Sequence, residues 1–187
     1  MTGYKLTDKN DQTWGGCQWG PGVTHETDGA GDLCGPGWLH YYSHPLLAVL
    51  HNPIHGHFDL ATAHLWEAEA GGEIRDDSGL KLGCTKLTTL KRVEIPEIAT
   101  TQRVAYGILC ACEVYDDPGW QSWADRWLSG EDRSTDAEWA AWAAWEATRA
   151  AWEATRAAGE ATRAAWAVAA GRELDLVKLA KKATEVK

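Results

Sequence analysis

The sequence predicts an α+β fold with a small mixed or antiparallel sheet, helices after it, and a long C-terminal repeat helix. Segments with strand-like alternation lie before Pro96, helical periodicity begins near residue 100, and the unit WEATRAA repeats from Trp145 onward. Strands that precede helices in the chain are typical of α+β domains. The expected boundaries are a globular domain over 1–130, strand-rich to about 96 and helical over 100–130, a repeat helix for oligomerisation over 135–171, and a short amphipathic basic tail over 172–187.

The elements of the globular domain can be assigned in order. Residues 4–6 and 12–14 predict a short hairpin around the turn DKND, and a glycine-rich loop follows over 15–37. WLHYYS is typical of a strand, and HPLLAVL of one or two helical turns with Ser43 as N-cap. HLWEAEA and KLGCTKLTTLKRVEI predict two longer strands, after which TTQRVAYGILCACEVY and PGWQSWADRWLSG predict two helices.

The WEATRAA repeat predicts a helix with a tryptophan ridge on one side and alanine on the other. At about 100° per residue, Trp145, Trp152, Gly159 and Trp166 fall on one line, and only alanine occupies the opposite arc. A stripe of indoles this large usually marks an interface, and a strict seven-residue apolar period is typical of a helical seam. A recent low-complexity expansion without a selected role is the alternative.

A ridge and a smooth face on opposite sides of one helix favour head-to-tail contacts between copies of the chain. Because such heterologous contacts close into rings when the rotation allows, we expect a cyclic homo-oligomer. In the alternative, the tail folds back on Trp120, Trp123 and Trp127 of the same chain. The residues assigned to oligomerisation are Trp139, Trp142, Trp145, Trp152 and Trp166.

Composition argues against several classes of partner. A net charge of -9 and a pI near 5.2 disfavour a nucleic-acid partner, which usually requires a basic face. The sequence has no stretch of eighteen apolar residues and no N-terminal apolar run, so neither a membrane span nor a signal peptide is expected. The five cysteines form no CxxC pair. We expect a cytoplasmic protein with reduced thiols and no cofactor.

The seven histidines all fall within forty residues of one another. His51, His55 and His57, with Asp59 nearby, are close enough in sequence to converge on a metal ion. However, the segment lacks both an HExxH helix and cysteines at zinc spacing. We therefore predict loop histidines with turn and solvent roles and no metal site.

Two glutamates suggest an enzyme. Glu67 and Glu69 in WEAEA match the Glu-x-Glu pattern of ADP-ribosyltransferases, and His40 in WLHYYS matches their histidine position. Both matches are short. On an alternating strand, the two glutamates more simply mark one polar face. No phosphate loop, G-x-S-x-G elbow or cysteine and histidine dyad accompanies them, so no catalytic residue is assigned.

The glycine-rich loop and its neighbours have the composition of a ligand pocket. Indole rings stack on planar bases, and loop N–H groups and histidines can hold an anionic group. The alternative is that these tryptophans are simply the core of a small domain poor in Phe and Met. The candidate ligand-binding residues are Trp14, Trp19, His25, Glu26, Trp38, His40 and Tyr42.

Five segments carry a resemblance to a known group of proteins. DGAGDLC, GWLHYY, HNPIHG, LWEAEAGGEI and LTTLKRVEI are similar to an uncharacterised domain of tailed-phage and prophage proteins that alanine-rich repeats often follow. The resemblance covers roughly residues 1 to 115 and implies a phage origin and action in the host cell cytoplasm. It transfers no catalytic residue, and the tryptophan tail lies outside it.

Three functions of different class follow from these patterns. The first is a non-enzymatic homo-oligomeric phage protein that sequesters a small nucleotide-like ligand, plausibly a host-defence signal. The second is an ADP-ribosyltransferase-like or nucleotide-hydrolysing enzyme that uses Glu67, Glu69 and His40. The third is a structural virion or scaffold component. The missing catalytic signature places the first above the second.

Overall fold

A computed structural model describes residues 1–114, 118–133 and 174–187. The chain divides into two compact units, Met1–Ile98 and Ala99–Lys187. Antiparallel strands followed by helices confirm the predicted α+β class. The repeat helix predicted over 135–171 lies outside the described residues. Among the residues that are described, no helix has the length and apolar character needed to cross a membrane.

The first unit contains seven strands, two short α-helices and a 3-10 helix over Trp14–Gly16. The strands are β1 (Thr2–Thr7), β2 (Gln12–Thr13), β3 (Cys17–Gln18), β4 (Thr24–Glu26), β5 (Leu39–Tyr41), β6 (His64–Asp76) and β7 (Leu82–Val93). The α-helices are α1 (Pro45–Leu50) and α2 (Asn52–His55). The N-cap of α1 is His44, whose Nδ1 accepts from the Leu46 N–H at 3.2 Å, so the prediction of Ser43 was wrong.

The main sheet has the order β1-β6-β7-β4, and β5 pairs with β7 beside β4. All these pairs are antiparallel. β1 pairs with β6 along its whole length while β2 pairs with β3, so the predicted hairpin between residues 4–6 and 12–14 was wrong. The pairing of β1 is determined by burial rather than by the local turn. Its long-range ladder with β6 buries one face of both strands.

The sheet curls until β5 reaches back to β1. Tyr4 and Tyr42 exchange both backbone hydrogen bonds, each at 2.8 Å. Gly3 permits this approach, because a Cβ at that position would lie 2.3 Å from the ring of Tyr41. The curl thus brings the residue after β5 against β1, although the two are distant in sequence.

Alternation along β6 separates the core from the surface. Trp66, Ala68 and Ala70 are buried on the inner face, while Glu67 and Glu69 point outward. The two glutamates thus share one face of β6, on which Glu69 is exposed, Glu67 is partly exposed and Leu65 is buried. Ala68 and Ala70 of this inner face belong to a core cluster that also contains Trp19, Tyr41, Cys84 and Leu87. All five cysteines lie within the described ranges, and all have free thiols.

The secondary structure described in the second unit, over 99–114, 118–133 and 174–187, is helical. The helices are α3 (Thr100–Val114), α4 (Pro118–Ser129) and α5 (Leu176–Thr184). Asp175 caps α5 by accepting from the Lys178 N–H at 2.9 Å. Helix α5 packs on α3, buries Leu179 and Ala183, and presents its lysines to solvent. The basic tail predicted from the sequence thus contains an amphipathic helix.

Candidate functional site

A recess of about 460 Å³ opens at one end of the curled sheet. This volume lies in the range of small-molecule sites. It is built from the turn after β1, the segment after β3 and the paired parts of β6 and β7. The lining residues are Asp11, Trp19, Gly20, Pro21, Trp66, Leu90, Lys91 and Arg92.

Asp11 organises the recess. The Asp8 carboxylate accepts from the N–H groups of Asn10 and Gln12 at 2.8 and 2.7 Å and folds the DKND turn. Asp11 then adopts the left-handed conformation with φ of 61°, which aspartate tolerates better than most residues. Its backbone carbonyl accepts from the Trp19 N–H at 2.8 Å and fixes the next segment of the chain.

Three donors converge on the Asp11 carboxylate. His64 Nδ1 lies 2.8 Å away and Trp66 Nε1 3.1 Å away, and the guanidinium of Arg92 forms an ion pair with the second oxygen. Burial acts to raise the pKa of Asp11, but the hydrogen bonds from His64 and Arg92 outweigh it and hold that pKa below its ordinary value. Asp11 is therefore a carboxylate at neutral pH, held before any ligand arrives.

The floor of the recess is apolar. Trp19 and Trp66 are each only 2% exposed, so they present ring edges rather than full faces. The Trp19 indole N–H is satisfied by Thr13 Oγ1 at 2.9 Å, which leaves its carbon edge for contact. Pro21 and Leu90 form walls above this floor.

A β-bulge exposes Leu90. Thr89 pairs with Ala68 and Lys91 pairs with Glu67, so Leu90 is the additional residue on β7. A bulge bends its strand and redirects the side chain of the extra residue. Leu90 is consequently 40% exposed at the recess. Without the bulge, its side chain would follow the regular alternation of the strand between the two faces of the sheet.

One cation, Arg92, lies at the rim, whereas the side chain of its neighbour Lys91 lies on the outer face of the sheet with Glu67. The Arg92 guanidinium carbon is 5.2 Å from the Trp66 ring, and its side chain is half exposed. Lys91 is more exposed and pairs with Glu67 at 3.2 Å. Asp11 holds the Arg92 guanidinium, so the rim offers oriented donors rather than a large net charge. An apolar floor beneath oriented donors suits a ligand with a planar ring and an anionic group.

One of the predicted ligand-binding residues, Trp19, lines this recess, and a second, His25, packs against Trp19. The His25 ring lies edge-on to the Trp19 indole, with ring centroids 4.6 Å apart. His25 Nε2 is 2.7 Å from the carbonyl of Gln18. Trp14 is 89% exposed and Glu26 forms a surface ion pair with Lys86, so the structure brings neither to the recess.

The other three predicted residues lie elsewhere. Trp38 is buried beneath Arg75, whose guanidinium carbon is 4.3 Å from its ring. Along β5, Tyr41 points into the core, so His40 and Tyr42 point to the opposite face. The seven candidates are therefore distributed over several locations.

His40 and Tyr42 belong to a histidine cluster that also contains His51 and His55. Tyr42 Oη is 3.3 Å from His55 Nδ1, and the rings of His51 and His55 have centroids 6.0 Å apart. Lys81 is buried nearby, where its ammonium donates to Cys34 Sγ at 3.1 Å and lies 3.9 Å from the Asp77 carboxylate.

Burial dominates the electrostatics of the histidine cluster. Burial lowers the pKa of His40 to about 4 and that of His55 to about 3, and the Lys81 ammonium adds to both shifts. Burial also lowers the pKa of His51, although its bond to the Leu80 carbonyl at 2.8 Å opposes this. The prediction of solvent-exposed loop histidines was wrong for His51, which is buried, and right for His57, which is exposed.

The structure holds no close grouping of metal ligands where the sequence suggested one. Within residues 1–114, 118–133 and 174–187, no three or more histidine, cysteine or acidic side chains are placed to hold a metal ion. His51 turns to the Leu80 carbonyl and His55 to Tyr42. Their neighbours in the cluster are a lysine and a tyrosine rather than carboxylates.

The residues of the enzyme alternative have other partners. Glu67 is paired with Lys91, and Glu69 is exposed on the outer face of β6. The His40 ring hydrogen-bonds to the carbonyl of Leu33. Glu67 and His40 thus take part in structural contacts, and Glu69 is exposed.

Sequence reasoning missed most of the recess. Asp11, His64, Trp66 and Arg92 span more than eighty positions of the chain, and only the pairing of β1, β6 and β7 brings them together. One local signal was available. An aspartate at the end of a DKND turn, directly before a new strand, is a position where a left-handed residue is common.

One comparison with known proteins identifies a family. Residues 1–101 match the model of a domain of unknown function, DUF7666. No curated protein and no solved structure matches the chain. The match spans more than half of the chain and includes the whole recess, and the chain therefore belongs to the DUF7666 family.

Proposed function

We propose that the chain binds a small nucleotide-like molecule, with a planar ring and an anionic group, in the recess beside Asp11. The observation that supports this most is the combination of two indoles with the Arg92 guanidinium at one recess of about 460 Å³. Hydrophobic lining with a few oriented polar groups is the usual composition of a ligand site.

The recess offers separate places for the two parts of such a ligand. The planar ring would lie between Pro21 and Leu90, on the edges of Trp19 and Trp66. The anionic group would lie at the rim, where Arg92 has donors that Asp11 does not occupy. Because the Asp11 ion pair already fixes the guanidinium, binding would require little ordering of that side chain.

Calorimetry on the full-length chain tests this proposal. We expect at least one member of a panel of cyclic and linear purine and pyrimidine nucleotides to bind. Arg92→Gln should weaken that binding by about tenfold or more, because a charge-assisted hydrogen bond contributes on the order of 1.5 to 3 kcal/mol.

Arg75→Gln is the matched control. Arg75 also lies over an indole, that of Trp38, and also pairs with an acid, Glu73, but it does not line the recess. Its substitution should leave the affinity unchanged. Absence of binding across the panel, or equal losses in both variants, would contradict the proposal.

We also propose that the chain is a homo-oligomer assembled by its tail. The support is the seven-residue spacing of the tail tryptophans, which lie outside the described residues. Light scattering coupled to size exclusion should give a multimeric mass for the full-length chain. Trp152→Glu should reduce that mass, because it introduces a charge into each repeated contact. A monomeric mass for the unaltered chain would contradict the assembly.

A further inference from the structure

We propose that Asp11 and His64 form a catalytic dyad that hydrolyses a phosphate diester of nucleotide type bound in the recess. This inference rests on the proposed function, since the substrate would occupy the same recess. It would make the chain an enzyme whose catalytic residues differ from the earlier candidates Glu67, Glu69 and His40.

The dyad has the geometry of an oriented general base. His64 Nδ1 donates to Asp11 Oδ1 at 2.8 Å, so this bond fixes the tautomer in which Nε2 carries the lone pair. The His64 side chain is 26% exposed, so water can reach it. A carboxylate that orients the imidazole of a base is a recurring feature of hydrolytic sites.

The sheet places His64 at the border of the recess. His64 lies two positions before Trp66 on β6, so both side chains are on the same face of that strand. Thr7 pairs with His64 in the ladder, and its hydroxyl also donates to the His64 carbonyl at 3.2 Å. The backbone that carries the imidazole is thus fixed beside the recess floor.

Asp11 makes more side-chain contacts than its position in a turn requires. It is one of three residues other than glycine with positive φ in the described part of the chain, and its carboxylate accepts from His64, Trp66 and Arg92. Unusual backbone conformations that the surroundings maintain are frequent at functional sites. The same carboxylate, which lines the recess, thereby holds an imidazole and a guanidinium next to each other.

The proposed step balances without any further reactant than water. His64 Nε2 accepts a proton from a water molecule while the water oxygen forms a bond to phosphorus. The phosphorus bond to one ester oxygen breaks, and that oxygen takes the proton back from the imidazolium, which regenerates the neutral histidine. Arg92 stabilises the charge that develops on the phosphoryl oxygens. The products are a phosphate monoester and an alcohol.

Phosphorus NMR tests the dyad. The full-length chain is incubated with cyclic AMP or cyclic GMP, and calorimetry is run on the same samples. We expect time-dependent formation of a phosphate monoester. His64→Ala should lower kcat by at least a hundredfold with little change in affinity, because a general base typically contributes a factor of 10² to 10⁴. His57→Asn is the control, since His57 is exposed and asparagine tolerates its φ of 54°.

A purely structural His64 is distinguished by chemical rescue. Added imidazole should restore part of the turnover of His64→Ala if the missing group is a base, and should restore none if the substitution merely loosens the turn. Binding without turnover in the unaltered chain, equal turnover in His64→Ala, or failure of rescue would each overturn the dyad while leaving the binding proposal intact. Absence of nucleotide binding would overturn both.

Discussion

The recess and the histidine cluster lie on the same curled sheet but differ in the charge of their buried groups. At the recess, one carboxylate, Asp11, collects His64, Trp66 and Arg92 as donors. In the histidine cluster, His40 and His51 bond to backbone carbonyls, and the Lys81 ammonium is 3.9 Å from Asp77. The first region is an ionised network, whereas the second keeps its imidazoles neutral through burial.

This difference indicates that the recess, rather than the histidine cluster, suits a charged ligand. Ionised groups that are oriented before binding need no reorganisation when a ligand arrives, whereas neutral buried histidines mainly satisfy local hydrogen bonds. The two regions should therefore respond differently to substitution and to pH. Asp11 is expected to matter for both stability and binding, and the histidine cluster for stability alone.

The largest effect should come from Asp11→Ala. The substitution leaves the Trp66 indole N–H without its acceptor, removes the partner of Arg92 and keeps a residue with a Cβ at φ of 61°. An unsatisfied buried donor and a strained backbone together cost on the order of 3 kcal/mol. Urea unfolding should show this loss in the free energy of unfolding. Asp11→Asn should lose less, since asparagine tolerates the backbone and retains an acceptor; equal stability of all three proteins would contradict the network.

Acid should destabilise the first unit through the histidine cluster. The pKa values of His40 and His55 in the folded protein, about 4 and about 3, lie below the ordinary value of 6.5. Between pH 6.5 and 4 the unfolded chain therefore binds protons that the folded chain does not, so the free energy of unfolding falls as the pH is lowered. At pH 5 the loss is about 2 kcal/mol for each histidine.

The same measurement separates the two regions. Because the pKa of Asp11 lies below its ordinary value of 3.8, the stability it contributes is lost only as the pH falls below that value. His55→Gln should flatten the dependence between pH 6.5 and 3, whereas the loss that comes from Asp11 below pH 3.8 should remain. A pH dependence unchanged by His55→Gln would show that the cluster does not keep this imidazole neutral.

A stabilising substitution is expected at Lys5, which connects the two regions. Its ammonium donates to the His40 carbonyl at 2.7 Å and lies 5.0 Å from the Trp19 ring, and burial lowers its pKa to about 8. Lys5→Met should raise the free energy of unfolding at pH 7 by about 2 kcal/mol, because it removes a buried charge without a carboxylate partner.

The difference in the free energy of unfolding between Lys5→Met and the wild type should decrease as the pH rises from 8 to 10.5. In that interval the folded wild type has released the proton of Lys5 while the unfolded chain retains it, so wild-type stability from this group rises with pH. Lys9→Met, at an exposed position, is the control and should have no such effect. Destabilisation by Lys5→Met at pH 7 would mean that its bond to His40 outweighs the cost of burial.

The smallest effect on stability is expected at the two arginine and tryptophan pairs. Both guanidinium groups are about half exposed, so Arg92→Gln and Arg75→Gln should each lower the free energy of unfolding by roughly 1 kcal/mol or less. Thermal melts of the two variants should be similar. A much larger loss in Arg92→Gln would mean that it folds the recess rather than serving a ligand.

Local patterns in the sequence predicted the α+β class, the long strands and the outward glutamates, because period-two alternation reports burial directly. They could not predict the recess. Asp11 joins it through a left-handed turn, Leu90 through a bulge, and Arg92 through register with Trp66. Each depends on long-range pairing, which has no local signature. Trp19 was found because a tryptophan within a glycine-rich loop is a local signal of packing.

The most direct test of the recess as a ligand site is two-dimensional ¹H–¹⁵N NMR of the indole N–H groups during titration with the tightest-binding nucleotide of the calorimetric panel. Trp19 and Trp66 form the recess floor, whereas Trp38 lies under Arg75 and Trp14 is 89% exposed at another position. Signals assigned by single Trp→Phe variants should shift for Trp19 and Trp66 and stay fixed for Trp14 and Trp38. Shifts confined to Trp14 or Trp38, with Trp19 and Trp66 unchanged at saturation, would contradict it.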